Sequence, residues 1–258
     1  MDESTRLHYL HAMGIDVWLP KFSSDTHTLK LLENQLPISE ATLLPHSQEQ
    51  NLLDSSLLHN DSTSSPNLTY DSWELLHAEV QACQACNLCQ NRTQTVFGIG
   101  DRQADWLLLG GAPEAIEEEH GEPFVGNAGQ LLNEMLLALG MRREQVYMTT
   151  VVKCRPPQNR DPHAIEINAC QEFLSRQISL IQPKIILVIG HKVAQYLLQQ
   201  SDTHPEHPKQ QLMFLGIPLF VVPHPTHLLS TPLEKSNAWE ELQFAWINYQ
   251  NQSLANIC

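Results

Sequence analysis

From about Trp106 onward, short apolar runs alternate with longer stretches of mixed polarity. Residues 106–110, 146–152, 184–190 and 218–222 are apolar over strand length, the pattern of strands buried on both faces of a sheet. Residues 128–140, 163–181, 191–200 and 237–249 carry their apolar side chains at helical spacing. This alternation predicts an α/β fold, a three-layer α/β/α sandwich with a mainly parallel central sheet. In such sheets ligands lie beyond the carboxyl ends of the strands, so the loops after Gly110, Val152 and Val222 are expected to converge on one site.

The region ahead of Trp73 follows a different pattern. Leu7, Leu10 and Gly14 stand at helical spacing with Met13 alongside and Ile15, Val17 and Trp18 just beyond, which predicts a short helix stopped near Gly14. Residues 21–70 are rich in Ser, Thr, Asn, Gln and His and show no sustained period, the composition of a flexible tether. The chain is therefore expected to divide into an N-terminal docking peptide (1–20), a polar linker (21–70) and a globular domain (71–258).

Composition adds limits. With 42% hydrophobic and 17% charged residues, the chain has the balance of a globular protein, and no apolar run approaches the roughly 18 residues of a membrane span. The start, MDESTRLHYL, lacks a basic region followed by an apolar stretch, so a cytoplasmic setting with reduced thiols is expected. Charge is uneven: residues 1–82 hold 3 Lys and Arg against 12 Asp and Glu, within a formal net charge of -14 for the whole chain. That balance argues against strong nonspecific binding to duplex nucleic acid, which depends on neutralising phosphates. Any such contact must be local.

Five of the six cysteines form a pattern: Cys83-x2-Cys86-x2-Cys89, then Cys154, then Cys170, while Cys258 stands alone at the end. A closely spaced set with two distant members suits a tetrahedral zinc or a four-iron, four-sulfur cluster, and spacing leaves both open. Cys154 and Cys170 also have a simpler reading as small buried hydrophobes.

The residues around the cysteines carry a resemblance. Cys83 to Arg92 (CQACNLCQNR), followed by Val96 to Gly100 (VFGIG), resembles the opening of the family-4 uracil-DNA glycosylases. GEPFVGNAGQLL at 121–132, VKCRPPQNRDP at 152–162 and HPTHLL at 224–229 match the same family in the same order, over about residues 75–250. The resemblance implies a uracil-DNA glycosylase-like fold and a 4Fe-4S cluster on Cys83, Cys86, Cys154 and Cys170, with Cys89 not required. Such a cluster is expected to be architectural, fixing the loop in which Lys153, Arg155 and Arg160 are candidates for DNA phosphate contacts. The resemblance further assigns Phe124 to stacking on a flipped base and His224 to stabilising the departing base.

Two positions depart from the family. Its Glu after the first long strand is Gly111 here, followed by Ala112 and Pro113, and its base-reading Asn is Thr150. A hydroxyl cannot present the paired donor and acceptor of an amide. Ser230 follows HPTHLL where the family usually has Arg, and 208–216 lacks the family's Arg-Gly pair. Glu114, Glu117 and Glu118 are candidates to replace the lost carboxylate.

The opening peptide, with Leu10, Met13, Gly14, Ile15 and Trp18, resembles the N-terminus of the ψ subunit of bacterial DNA polymerase III. That resemblance implies clamp-loader or polymerase III subunits as partners. The combined expectation is a replication or repair protein, weakly active or inactive as a glycosylase and serving as a ψ-like accessory subunit. The alternative is an active uracil-DNA glycosylase of base-excision repair, acting on single-stranded DNA.

Overall fold

The computed structural model describes residues 72–198 and 211–255, with side chains through 252. The expected docking peptide and linker lie outside the described residues. Ser72 opens helix α1 (Trp73–Ala82), its hydroxyl accepting from the Leu75 backbone N–H at 3.2 Å.

A six-stranded sheet follows, in the order β1-β3-β2-β4-β6-β5. The long strands β2 (Trp106–Gly110), β3 (Tyr147–Thr150), β4 (Ile185–Ile189) and β6 (Ile217–Val222) pair in parallel. The short edge strands β1 (Ile99–Gly100) and β5 (Leu212–Phe214) pair antiparallel with β3 and β6. This mainly parallel α/β sheet is the fold class expected from the alternating pattern.

Register explains the two-sided burial. Met148, Leu108, Leu187 and Phe220 are successive partners across the sheet and belong to one core. Tyr147, Leu107, Ile186 and Leu219 form the next row and belong to the other. Period-two alternation thus sends neighbouring apolar residues to opposite faces. Leu132 and Met135 of α3 (Gly126–Ala138) and Leu242 of α7 (Lys235–Ala255) fill the first core. Leu174 and Ile178 of α4 (Ala164–Ile181) and Val193 of α5 (His191–Leu198) fill the second. The sequence pattern did not reveal β1, β5 or the six-residue helices α2 (Ala115–His120) and α6 (Pro225–Ser230), all too short to show a period. Strand β3 also ends at Thr150, short of the expected 152, although Val151 and Val152 remain buried.

Close approach of the backbone fixes how α3 begins. A Cβ on Gly129 would lie 1.9 Å from the Phe124 carbonyl oxygen, so the first turn of α3 can pack on the Phe124 loop only without a side chain there.

Candidate active site

Beyond the carboxyl ends of β2, β4 and β6 opens a cleft of about 920 Å3. Gly111, Ala112, Pro113 and Glu114 line it after β2, Gly190 and His191 after β4, and Pro223 and His224 after β6. The loop after β3 reaches it only farther along, at Asn159, Arg160, Asp161 and Pro162.

His224 is the N-cap of α6, and its Nδ1 accepts from the Thr226 backbone N–H at 3.3 Å. Burial pushes its pKa below the ordinary histidine value, while the nearby Glu114 charge acts in the opposite direction. A neutral ring whose Nδ1 accepts carries its proton on Nε2, leaving an N–H donor. Glu114 is exposed and lines the same cleft. Its backbone N–H donates to the Glu117 carboxylate at 2.8 Å.

Glu117 and Glu118, expected as alternative carboxylates, do not line the cleft. Glu117 is buried and also accepts from the Phe124 backbone N–H, and its burial raises its pKa. Glu118 is buried and accepts from the Thr93 N–H at 3.1 Å and from Arg155 at 3.5 Å. Glu117 therefore ties the Glu114 turn to the Phe124 loop. Phe124, only 4% exposed and at φ 55, lies behind the cleft lining, its ring 6.5 Å from that of His224. A Cβ on Gly110 would come within 2.9 Å of the Phe124 ring, and Arg143 holds the Pro123 and Phe124 carbonyls at 2.7 and 2.9 Å.

Thr150 is 2% exposed, and its hydroxyl donates to the Val152 carbonyl at 2.8 Å. It is outside the cleft lining. Lys153, expected to meet a phosphate, is 1% exposed and donates to Thr149 Oγ1 and the Thr150 carbonyl, both at 2.6 Å. Burial pushes its pKa down to about 7, and no phosphate can reach it from solvent. Arg155 bonds Asn159 at 2.7 Å as well as Glu118, and Arg160 makes a bidentate pair with Glu166 at 2.9 and 2.6 Å.

The residues after β4 complete the cleft, in a loop that the apolar pattern does not single out. Lys192 pairs with Asp161 at 2.7 Å and His227 with Glu234 at 2.9 Å. Burial lowers the pKa of His191 beside them. The available signal was the position of His191 and Lys192 directly after the buried run 185–189.

Away from the cleft, Cys154 and Cys170 are buried in the core that Cys86 packs against, while Cys83, Cys86 and Cys89 are partly exposed and all five are free thiols. Arg92 was also missed, although it closes the cysteine-rich run. Its Nη1 donates to Cys154 Sγ at 3.2 Å and its Nη2 to the Gln81 carbonyl at 2.7 Å. Burial raises the Cys154 pKa, Arg92 opposes it, and the Cys86 and Cys83 thiols act on it from close by. Burial pushes Cys170 up to about 11, against the Lys153 backbone N–H and ammonium. Among the described residues, no three His, Cys, Asp or Glu side chains are close enough to share one metal ion.

Residues 97–243 match the model of the uracil DNA glycosylase superfamily. The chain belongs to that superfamily. It is 44% identical over 124 residues to a type-4 uracil-DNA glycosylase of Archaeoglobus fulgidus, covering 48% of this chain and 62% of the relative. A type-4 uracil-DNA glycosylase of Sulfurisphaera tokodaii is 47% identical over 131 residues, 50% of this chain and 60% of the relative. One of Saccharolobus solfataricus is 42% identical over 137 residues, 53% of this chain and 63% of the relative. The chain thus spans less than two thirds of the length of these relatives. The superfamily match contains the whole cleft, including Gly111, Glu114 and His224, but begins after Cys83, Cys86 and Cys89. No helix among the described residues is long and apolar enough to cross a membrane.

Proposed function

We propose that this superfamily domain binds a nucleobase extruded from single-stranded DNA and slowly hydrolyses its N-glycosidic bond, with uracil as the base. The observation that carries this reading is His224, held neutral at the mouth of α6 with its Nε2–H free for the departing base. In the proposed step the bond from C1′ of the sugar to the base breaks, and its electron pair moves onto the base. His224 hydrogen-bonds the resulting anion. Water forms the new bond to C1′ and gives its proton to the Glu114 carboxylate.

Slow turnover follows from the neighbours. Gly111 offers no carboxylate, and the Thr150 hydroxyl is already bonded to Val152. Cleft cations are paired with carboxylates, so DNA contact is local and suits a single strand better than a duplex. Phe124 supports the pocket from behind Gly110 and His224.

We also propose that Cys83, Cys86, Cys154 and Cys170 hold a 4Fe-4S cluster. The donor set fits: four free thiols, of which Cys154 and Cys170 are buried in the core that Cys86 packs against, with the Arg92 guanidinium on Cys154. A cluster needs one thiolate for each iron and so does not require three ligands around a single ion. Its role would be architectural, joining the end of α1 to the loop after β3. Clamp-loader docking through Leu10, Met13, Gly14, Ile15 and Trp18 lies outside the described residues and gains no support from the superfamily match, which starts at residue 97.

The test is release of uracil from a single-stranded oligonucleotide by the full, anaerobically purified chain. Slow release that disappears in His224→Ala supports the reading. Robust release that survives His224→Ala, or none at all from the wild type, overturns it.

A further inference from the structure

Lys153 presents a problem that neither the cleft nor DNA binding solves. Its ammonium is buried, and both hydrogen-bond partners are neutral oxygens. Long cationic side chains are rarely buried without a compensating charge, because removal from water is unfavourable unless an opposite charge replaces it. Lys153 directly precedes Cys154, which is buried with it. The Lys153 backbone N–H is hydrogen-bonded to the sulfur of the buried Cys170, so this one residue sits between two of the cysteines.

Arg92 repeats the arrangement from another part of the chain. One arm of its guanidinium donates to Cys154 Sγ and the other to the Gln81 carbonyl, in the last turn of α1 before Cys83. Two cationic residues, 61 positions apart by their numbers 92 and 153, thus meet the buried pair Cys154 and Cys170, one through its guanidinium and the other through its backbone with a buried ammonium.

We infer that Lys153 and Arg92 are the counter-charges of an anionic iron-sulfur cluster at Cys83, Cys86, Cys154 and Cys170, setting its reduction potential and its retention. The inference rests on the cluster reading above. A 4Fe-4S core in its oxidised resting state with four thiolates is dianionic, so two adjacent cations balance it. Reduction adds one electron and one further negative charge, which the same cations favour. Arg92 has a second effect, because it joins the α1 end to Cys154 and so holds the distant ligands together. Lys153 is accordingly a cluster-supporting residue and not a phosphate contact.

The experiment uses the full chain, purified without oxygen, as wild type, Arg92→Gln, Arg92→Lys, Lys153→Met and, as a control, Arg155→Gln. Iron and sulfide content, midpoint potential and the rate of iron loss to a chelator are measured. Removing either cation should disfavour reduction at least tenfold, about 59 mV for a one-electron couple, and speed iron loss at least tenfold. Arg92→Lys should recover most of the potential but less of the retention, because it keeps the charge and loses one arm. Arg155→Gln should leave the potential unchanged, since Arg155 bonds Asn159 and Glu118. Zinc or no metal in the wild type overturns the cluster reading and this inference with it. An iron-loaded wild type with unchanged potentials in Arg92→Gln and Lys153→Met overturns this inference alone. If Lys153→Met yields no folded protein, the potential of Arg92→Gln decides.

Discussion

The loops after β2 and β6 and the loop after β3 leave the same edge of one sheet, yet they use their polar side chains in opposite ways. Glu114 and His224, from the first two, line the cleft, and His224 turns only its Nδ1 back to its own helix. Thr150, Lys153, Arg155 and Arg160, from the third, are each bonded within the protein. Residue type alone does not separate the groups, since both are polar and follow strand ends. What separates them is whether a partner inside the fold meets the side chain first. A buried or bidentate cation already has its counter-charge or acceptors and gains little from a phosphate. The first two loops are therefore expected to govern turnover, and the third to govern the integrity of the domain.

The largest expected effects fall on the two residues that line the cleft, His224 after β6 and Glu114 after β2. His224→Ala should lower uracil release about 100-fold to 1,000-fold, the usual cost of losing a donor to a developing anion, with little change in thermal stability. Glu114→Gln should lower it by about 100-fold, as for loss of a general base, with substrate affinity nearly unchanged. Single-turnover rates and melting curves of the same preparations check both. A fall in stability as large as the fall in rate would place these residues in the structural group and break the comparison.

A smaller effect, in the opposite direction, tests the β2 side. Gly111→Glu with Thr150→Asn should raise uracil release by about 10-fold, well below the full value of a positioned carboxylate. Space limits the gain: a Cβ on Gly111 would lie 3.1 Å from Val193 Cγ2, and Thr150→Asn removes the hydroxyl that bonds the Val152 carbonyl. Adding Val193→Ala should increase the gain. If Val193→Ala adds nothing, crowding at Gly111 is not what restrains the new side chain.

Legibility in the sequence followed the same division. The runs 106–110 and 185–189 were plain because strands buried on both faces must be continuously apolar. His224 could be placed at the cleft from sequence because it follows the β6 run, where such sheets open a site. Lys153 was misplaced for a physical reason: one-dimensional pattern shows a cation beside a motif, whereas its contacts with Thr149 and Thr150 depend on how the chain turns after β3. The Arg160 ion pair is likewise invisible in pattern, because Glu166, in the first turn of α4, reaches back across the loop. The edge strands escaped notice because Ile99–Gly100 and Leu212–Phe214 are shorter than any period can define.

The smallest expected effect concerns Arg160, the cation of the third loop that does line the cleft. A free arginine on a DNA phosphate would change the slope of log affinity against log salt by about one when removed. Arg160 is paired with Glu166, so Arg160→Ala should change that slope by well under one and the affinity by about twofold or less. Its effect should appear in stability instead, with a definite pH dependence. The Arg160 hydrogen bond is the first cause holding the Glu166 carboxyl below its ordinary value of 4.5. A carboxyl depressed in the folded state contributes stability that is present above the unfolded value and lost as pH falls through the folded one. Arg160→Ala should therefore melt below the wild type near neutral pH, and the difference should close as pH falls below 4.5 and on through the depressed folded value. Melting curves against pH, set beside oligonucleotide affinity at several salt concentrations, separate the alternatives. A gap that persists unchanged in acid, together with a salt slope altered by a full unit, would move Arg160 from the structural group to the DNA-binding one.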